Sequence, residues 1–339
     1  MIKLRYFCAA GIAALSIAFS PGAARAGSEK PADHVTVLKF FSNHGWAAAY
    51  ELAGALGWLK EKGIEVESVG FAQGGPESIF GLNTGSVDLA DCATAGVINA
   101  VAGGSRIIGV MPNIGVSETS NSKFFVLADG PIKTVQDLKG KSIAVNTLGA
   151  HLDYVVRVYL KEHGMSISDV QLITVRGPQL DQILRHKQAD VVATGAVWQD
   201  TFAGKIEAEG GIRVLFNDYE VLGPLGLGNT IVRTSFVEQH PQIARDFVTM
   251  SAKAADWSTT HLNEAREILA EILDKRGDNP ELAKYWNGFG LRPHALYTDK
   301  DAQFWINALV EEGKLTPSQV TPADVITNNY NDLAHLVQR

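Results

Sequence analysis

The segment that follows Val145 contains the first residues suited to chemistry. Ser142–Val145 is a short apolar run that predicts a buried strand, and Thr147, Gly149 and His151 follow it in a loop of polar and small residues. Apolar residues then recur at helical spacing from Leu152 onward. This order directs backbone N–H groups and the positive end of a helix dipole at one point. The segment predicts an anion-binding corner, although such connections are also ordinary parts of α/β folds.

Similar strand-to-helix units recur along the chain, and their strand ends form one set of candidates. In open α/β sheets, ligands bind outside the carboxyl ends of the strands. The hydroxyl, amide and glycine groups there suit hydrogen-bonded capture of an oxyanion or a polar ring, and they do not form a catalytic set. The candidate ligand-binding residues are Ser42, Asn43, His44, Trp46, Gln73, Gly74, Asp91, Cys92, Thr94, Thr147, Gly149, His151, Arg176, Thr194 and Trp198.

Several of these candidates also have simpler explanations. His44 and His151 are equally compatible with exposed loop histidines, and Arg176 with a surface charge. Asp91 is a preferred residue type for capping the helix after it. Trp198 is compatible with a core position as well as with a ligand platform.

Motifs of the common enzyme classes are absent from the sequence. It contains no G-x-S-x-G elbow, no H-E-x-x-H pair and no G-x-x-x-x-G-K-[ST] phosphate loop. The histidines are scattered, so no metal or other cofactor is expected. Nothing in these patterns argues for catalysis.

The first 26 residues resemble a signal peptide. Lys3 and Arg5 precede an apolar run that ends near Phe19, and Ala24 and Ala26 complete an A-x-A cleavage pattern. The run is too short for a membrane-spanning helix, which needs ~20 apolar residues. We expect cleavage near Ala26/Gly27 and a protein exported to the periplasm.

Charge and cysteine content exclude further classes of protein. Loss of the three basic residues of the leader would change the net charge from −7 to −10, so no nucleic-acid or membrane footprint is expected. Cys92 would be the only remaining cysteine, which excludes an intramolecular disulfide.

The order of predicted elements indicates two lobes. The mature length of about 310 residues exceeds what one core normally holds. A helix is predicted from Trp46 to about Lys62, and helices without strands follow Pro241. We expect residues 27–126 and 229–339 to form lobe I and residues 127–228 to form lobe II.

Three segments resemble a known family. They are LGWLKEKGIEV at 56–66, LNTGSVDLA at 82–90 and, most specifically, IKTVQDLKGK at 132–141. The chain is similar to the substrate-binding proteins of ABC importers in the nitrate, sulfonate, taurine and thiamine-precursor group. The resemblance implies an α/β type II periplasmic-binding-protein fold with two lobes, each a mixed sheet flanked by helices, and a ligand cleft between them.

The resemblance also implies a function, with alternatives. It implies a monomeric, non-enzymatic receptor that closes on a small organic anion, sulfonate- or taurine-like, and delivers it to an ABC permease. The family's Gly-Ser-Ser loop is replaced here by Thr147–His151, while Asn43, Trp46 and Trp198 suit a ring. An aromatic or heterocyclic ligand (a pyrimidine thiamine precursor, an aromatic carboxylate or a flavin) is therefore the alternative. A pyrimidine-synthase-type enzyme is disfavoured, because its cysteine-rich motif is absent.

Overall fold

The computed structural model describes residues 35–149, 151–175, 179–194 and 200–336, so the predicted signal peptide lies outside the described residues. The strands are β1 (Thr36–Ser42), β2 (Ile64–Phe71), β3 (Ala90–Ala93), β4 (Ile107–Val116), β5 (Lys123–Leu127), β6 (Ser142–Val145), β7 (Gln171–Thr174), β8 (Val191–Thr194), β9 (Ile212–Asn217) and β10 (Leu225–Arg233). The helices are α1 (Ala49–Ala55), α2 (Gly75–Thr84), α3 (Thr94–Ala102), α4 (His151–Glu162), α5 (Leu180–Arg185), α6 (Asp200–Glu209), α7 (Asp218–Leu222), α8 (Thr234–Gln239), α9 (Pro241–Thr260), α10 (Leu262–Lys275), α11 (Asp299–Glu311) and α12 (Pro322–Val325).

Five consecutive strands form one mixed sheet in the order β7-β6-β8-β5-β9. β6 runs parallel to β7 and β8, whereas β5 runs antiparallel to β8 and β9. Successive side chains of a strand point to opposite faces. Phe124 therefore packs into one buried cluster with Val145 and Leu160, while Phe125 packs into a second cluster on the other face. Helices thus cover both faces of this sheet.

The other five strands form two smaller sheets. β1 and β2 pair in parallel, and β10 lies between β3 and β4, antiparallel to both. β10 thus joins strands that precede it by more than a hundred residues. One hydrophobic cluster contains residues of these sheets and of the C-terminal helices, and Tyr50 of α1 contacts Phe247 of α9 at 5.6 Å between ring centroids.

The chain passes from the smaller sheets to the five-stranded sheet, and back again, near the expected lobe boundaries. The boundary at 126/127 falls inside β5, and the boundary at 228/229 falls inside β10. Residues 117–122 and 223–224 are the segments that connect the five-stranded sheet to β4 and β10. The division into two lobes stays a prediction, with these segments as its crossings.

The helix predicted from Trp46 to Lys62 is wrong in extent. α1 covers only Ala49–Ala55, and a separate 3₁₀ turn covers Lys60–Lys62. Gly57 between them has φ +81°, a conformation that ends a right-handed helix and that glycine adopts without strain. The helical spacing of apolar residues continues through this break, because Leu59, in the turn that follows α1, is also buried.

A buried ion pair fixes the loop that follows β1. Glu51 accepts the backbone N–H of Ala48 at 2.9 Å and pairs with Arg276 at 2.9 Å. Arg276 also donates to the carbonyl oxygen of Trp46 at 2.6 Å, so one guanidinium joins α1, the loop and the end of α10. Burial raises the pKa of Glu51 to about 7, although the Arg276 charge acts to lower it.

Arg276→Met should destabilise the protein in a pH-dependent way. Breaking a buried ion pair from one side costs about 3–5 kcal/mol of unfolding free energy when the remaining charge stays ionised. The folded pKa of Glu51 is already above its unfolded value and rises further without Arg276, so stability falls as pH rises from the unfolded toward the folded pKa. Urea unfolding should show a larger deficit near pH ~8 than near pH ~5.

Glu51→Gln in the same background is the matched control for this effect. The double variant carries no buried carboxylate, so its deficit relative to wild type should vary less with pH than that of Arg276→Met. If Arg276→Met lost the same unfolding free energy at both pH values, Arg276 would have no effect on the pKa of Glu51.

Candidate functional site

The carboxyl ends of β6, β8 and β9 lie at one edge of the five-stranded sheet. β6 and β8 are parallel neighbours, with Ala144 opposite Val192, and this register brings the loop after β6 beside Thr194. Thr147 and Gly149 are half-buried in that loop, whereas Thr194 is fully buried. The Thr194 hydroxyl has no hydrogen-bond partner among the described residues. The loop after β6 and the unused hydroxyl of Thr194 thus lie at the same end of the sheet, and anion binding there stays a prediction.

His151 begins α4 at this edge and is buried. Its Nε2 lies 2.7 Å from Oδ2 of Asp218, the first residue of α7. Asp218 also accepts the backbone N–H of Ser122 at 2.8 Å and donates its own N–H to the carbonyl oxygen of Ser122 at 3.0 Å. The His151 ring contacts Trp305 of α11 edge to face, with 5.5 Å between centroids. The other ring nitrogen, Nδ1, is buried without a partner among the described residues.

The N–H groups at the start of α4 are not all free. The N–H of Gly149 donates to Oδ2 of Asp153 at 2.7 Å. Arg157 in turn donates to Asp153 at 2.7 Å. The expectation of free backbone donors is therefore wrong at Gly149, where the chain supplies its own carboxylate.

The loop after β1 forms a second edge of candidates. Ser42 is buried, with its hydroxyl 2.6 Å from that of Ser68. His44 is exposed; it stacks on Phe71 at 4.1 Å between centroids and pairs with Asp278 at 3.0 Å. The exposed His44 therefore holds the loop in place through its contacts with Phe71 and Asp278.

Asn43 and Trp46 lie at the two ends of the same loop. Both are buried, and neither the Asn43 amide nitrogen nor the Trp46 indole nitrogen has a partner among the described residues. The ring of Trp46 belongs to the hydrophobic core. Both unused atoms are hydrogen-bond donors.

Asp91 is buried at the centre of a hydrogen-bond network. Its carboxylate accepts from Tyr50 at 2.6 Å, Asn113 at 2.8 Å and Thr230 at 2.8 Å. Burial raises the pKa of Asp91 above its usual range, while these three donors act to lower it. The role of this carboxylate is structural, because its bonds join α1, β4 and β10 to β3.

The remaining candidates of the first sheets pack against one another. Thr94 donates to the carbonyl oxygen of Leu227 at 3.1 Å, and Gly74 precedes α2 as its buried N-cap. Burial raises the pKa of the Cys92 thiol to about 12, which keeps it protonated. Gln73 is exposed, and its N–H is bonded to Glu77 at 2.7 Å.

The two edges are joined by a direct contact. Thr201 of α6 donates its hydroxyl to the carbonyl oxygen of Gly45 at 2.8 Å. Gly45 has φ +72°, and a Cβ there would lie 2.8 Å from the ring of Phe202, so glycine is required by both conformation and space. The loop after β1 thus lies against the start of α6, which follows β8 in the chain.

Four sequence-predicted residues therefore offer unused buried polar atoms at these edges: Asn43, Trp46, His151 and Thr194. Arg176 and Trp198 lie outside the described residues. Asp218 and Trp305 were not among the predicted residues, although Asp218 directly follows the strand β9. Trp305 carried no signal beyond helical periodicity.

Two other kinds of feature are absent from the described part of the chain. No group of three or more His, Cys, Asp or Glu side chains is placed there to hold a metal ion. Likewise, none of the helices described there has the length and apolar character needed to cross a membrane.

Two of the relatives found by sequence comparison carry names for different activities. A Bacillus subtilis (strain 168) protein named for binding aliphatic sulfonates is 28% identical over 224 residues, and the match spans 64% of this chain and 64% of that protein. A 4,5-dihydroxyphthalate decarboxylase of Pseudomonas putida is 25% identical over 190 residues, covering 54% of this chain and 68% of the enzyme. The chain thus aligns with just under two thirds of the sulfonate-binding relative.

Solved structures share the fold. The alkanesulfonate-binding protein SsuA from Xanthomonas axonopodis pv. citri, bound to MOPS, superposes with a TM-score of 0.67 at 19% identity, covering 86% of this chain and 99% of that one. The fold is therefore the mixed α/β fold of periplasmic binding proteins, as expected. Residues 46–265 match the sequence profile described as NMT1/THI5 like. This chain belongs to the NMT1/THI5-like family.

Proposed function

We propose that this protein is a periplasmic solute-binding receptor that delivers a small organic anion, sulfonate- or taurine-like, to an ABC importer. The observation that carries the proposal is a set of buried polar groups without partners among the described residues, in the loop after β1 and at the end of β8. Asn43 and Trp46 come from the loop after β1, and Thr194 comes from the end of β8. A buried polar group without a partner is costly, so a ligand that accepts hydrogen bonds would satisfy them.

The mechanism follows from the two-lobe division. Residues up to β4 and from β10 onward would form lobe I, and the five-stranded sheet with its helices would form lobe II. The segments 117–122 and 223–224 would be the hinge. Ligand contacts from both lobes favour the closed form, and that form would be recognised by the permease. Relatives and neighbours named as anion-binding proteins support this mechanism.

We take the protein to be a non-enzymatic monomer. The buried thiol of Cys92 has its pKa raised to about 12, which removes it as a nucleophile at neutral pH. The carboxylate of Asp91 is committed to three donors of the chain. These two groups of β3 would otherwise be the best candidates for catalytic chemistry among the residues of the smaller sheets.

The aromatic-ligand alternative receives less support from the geometry. Trp46 is 1% exposed and packs in the core, so its ring faces are already covered. Trp198, the other proposed platform, lies outside the described residues. The anionic ligand is therefore the better proposal.

Ligand-stripped protein should be stabilised by one class of compound in a thermal-shift screen. The panel contains nitrate, taurine, alkane- and arylsulfonates, aromatic carboxylates, aminopyrimidines and flavins, in a buffer free of sulfonates. A ligand at ~100 times its Kd adds ~2.7 kcal/mol, which raises Tm by several degrees. We expect sulfonates to give the shift. A response to rings alone would replace the anion proposal, and a folded protein without any response would contradict the receptor proposal.

Thr194→Val should weaken sulfonate binding without loss of folding. Valine keeps the shape of threonine and removes the unused hydroxyl, and a hydrogen bond to a charged group contributes ~1.5–3 kcal/mol, roughly 10- to 150-fold in Kd. Thr194→Ser retains the hydroxyl and is the matched control. Isothermal calorimetry measures both. Unchanged affinity in Thr194→Val would remove Thr194 from the site.

Asp91→Asn tests whether the ligand carries an ammonium group. From the network we expect a loss of stability of about 1–3 kcal/mol, because an amide nitrogen would face donors, and equal changes in affinity for taurine and for an ethane-sized alkanesulfonate. Calorimetry with both ligands decides. A selective loss of taurine binding would instead assign Asp91 to the ligand ammonium.

A further inference from the structure

The buried carboxylate of Asp218 needs a compensating charge. Asp218 is fully buried, and a buried carboxylate is stable only when it is hydrogen-bonded and paired. The backbone N–H of Ser122 satisfies one oxygen, and His151 Nε2 lies 2.7 Å from the other. Among the described residues, the imidazole of His151 is the only side chain able to carry positive charge that bonds to Asp218. A doubly protonated His151 would supply that charge.

A protonated ring leaves one donor unused. Nε2–H is committed to Asp218, so the second proton is on Nδ1, which is buried without a partner among the described residues. The ring itself is 3% exposed. An unsatisfied donor on a buried cation is a place for an acceptor that carries negative charge.

The ordinary anion site at this position is weakened in this chain. Asp153 lies at the third position of α4 and accepts the N–H of Gly149, so a carboxylate already occupies part of the positive end of the helix. Arg157 compensates Asp153 from the solvent side. A ligand anion placed here would meet the chain's own carboxylate unless another cation faced it.

We propose that His151, held as the charged partner of Asp218, donates from Nδ1 to the anionic group of the ligand and replaces part of the helix-start cradle. The inference rests on the proposed function, which it deepens by assigning the counter-charge of the anion to one residue. Thr194, at the end of β8, the strand next to β6, carries another buried hydroxyl without a partner among the described residues. Specificity then follows from charge, since a neutral ring compound gains little from an imidazolium, whereas a permanent anion gains a charge-assisted hydrogen bond.

A second unused nitrogen lies beside His151. The indole nitrogen of Trp305 is buried without a partner among the described residues, and its ring is in edge-to-face contact with the imidazole at 5.5 Å. Trp305 belongs to α11, so its donor comes from the C-terminal helices and not from the five-stranded sheet. Two adjacent aromatic residues from different parts of the fold thus contribute unused donors.

Two substitutions of His151 separate its two nitrogens. His151→Gln places an amide nitrogen near the Nε2 position, where it still donates to Asp218, and removes the group at Nδ1. His151→Asn keeps a donor near the Nδ1 position and loses the contact with Asp218. The probes are ethanesulfonate and MOPS, titrated calorimetrically into ligand-stripped full-length mature protein in phosphate buffer.

We expect His151→Gln to weaken sulfonate binding by at least about tenfold while its Tm stays close to that of wild type. His151→Asn should lose Tm and retain more affinity than His151→Gln. Trp305→Phe, which keeps the ring contact and removes the N–H, tests the adjacent donor and should weaken binding less than His151→Gln.

The outcomes distinguish the two proposals. Wild type that binds neither probe contradicts the proposed function and with it this inference. Wild type that binds while His151→Gln binds equally well overturns the role of His151 and leaves the receptor proposal in place.

Discussion

The pairing of Asp218 with Ser122 is the constraint on which the candidate site depends. Ser122 immediately precedes β5 and Asp218 immediately follows β9, so their two reciprocal hydrogen bonds hold together the entrance to and the exit from the five-stranded sheet. The same carboxylate holds His151 at the start of α4. One buried residue therefore joins the start of β5, the end of β9 and the start of α4.

Among the described residues, the contacts between the five-stranded unit and the rest of the chain include two separate groups. In one, Tyr154 of α4 contacts Trp305 at 5.5 Å and accepts a hydrogen bond from Lys314 at 3.2 Å. In the other, Thr201 of α6 contacts the Gly45 loop at 2.8 Å. α4 follows β6 and α6 follows β8, so the helices that carry the contacts are those whose preceding strands end at the site. A change at those strand ends would be transmitted directly to both contact groups.

The local pattern of the sequence was sufficient for elements whose partners are near in the chain. Ser142–Val145 is the strand that its apolar run predicts, and α4 begins one residue before the predicted helix start at Leu152. The helix from Trp46 was too long, because apolar spacing does not register a left-handed glycine such as Gly57.

The sequence predicted where the candidate residues lie, but not which of their polar atoms already have hydrogen-bond partners within the chain. The sequence placed Asp91 and Thr194 alike at predicted strand ends, although in the structure Thr194 ends β8 while Asp91 lies inside β3. Only the fold shows that Asp91 is surrounded by Tyr50, Asn113 and Thr230, which lie 41, 22 and 139 residues away in sequence, whereas the Thr194 hydroxyl is unused. Such long-range partners leave no periodic signal in a single sequence.

The packing around Cys92 has a practical consequence for observing motion in this protein. A Cβ on Gly75 would lie 2.2 Å from the Cys92 sulfur and one on Gly96 would lie 2.6 Å away, so two helices enclose the thiol at glycine-only distance. Without the first 26 residues the chain has no other cysteine. A cysteine introduced on the surface would therefore be the sole site for a maleimide dye, and a fluorophore near the segment 117–122 would report whether that segment changes its surroundings when a ligand is added, without any preparatory removal of thiols.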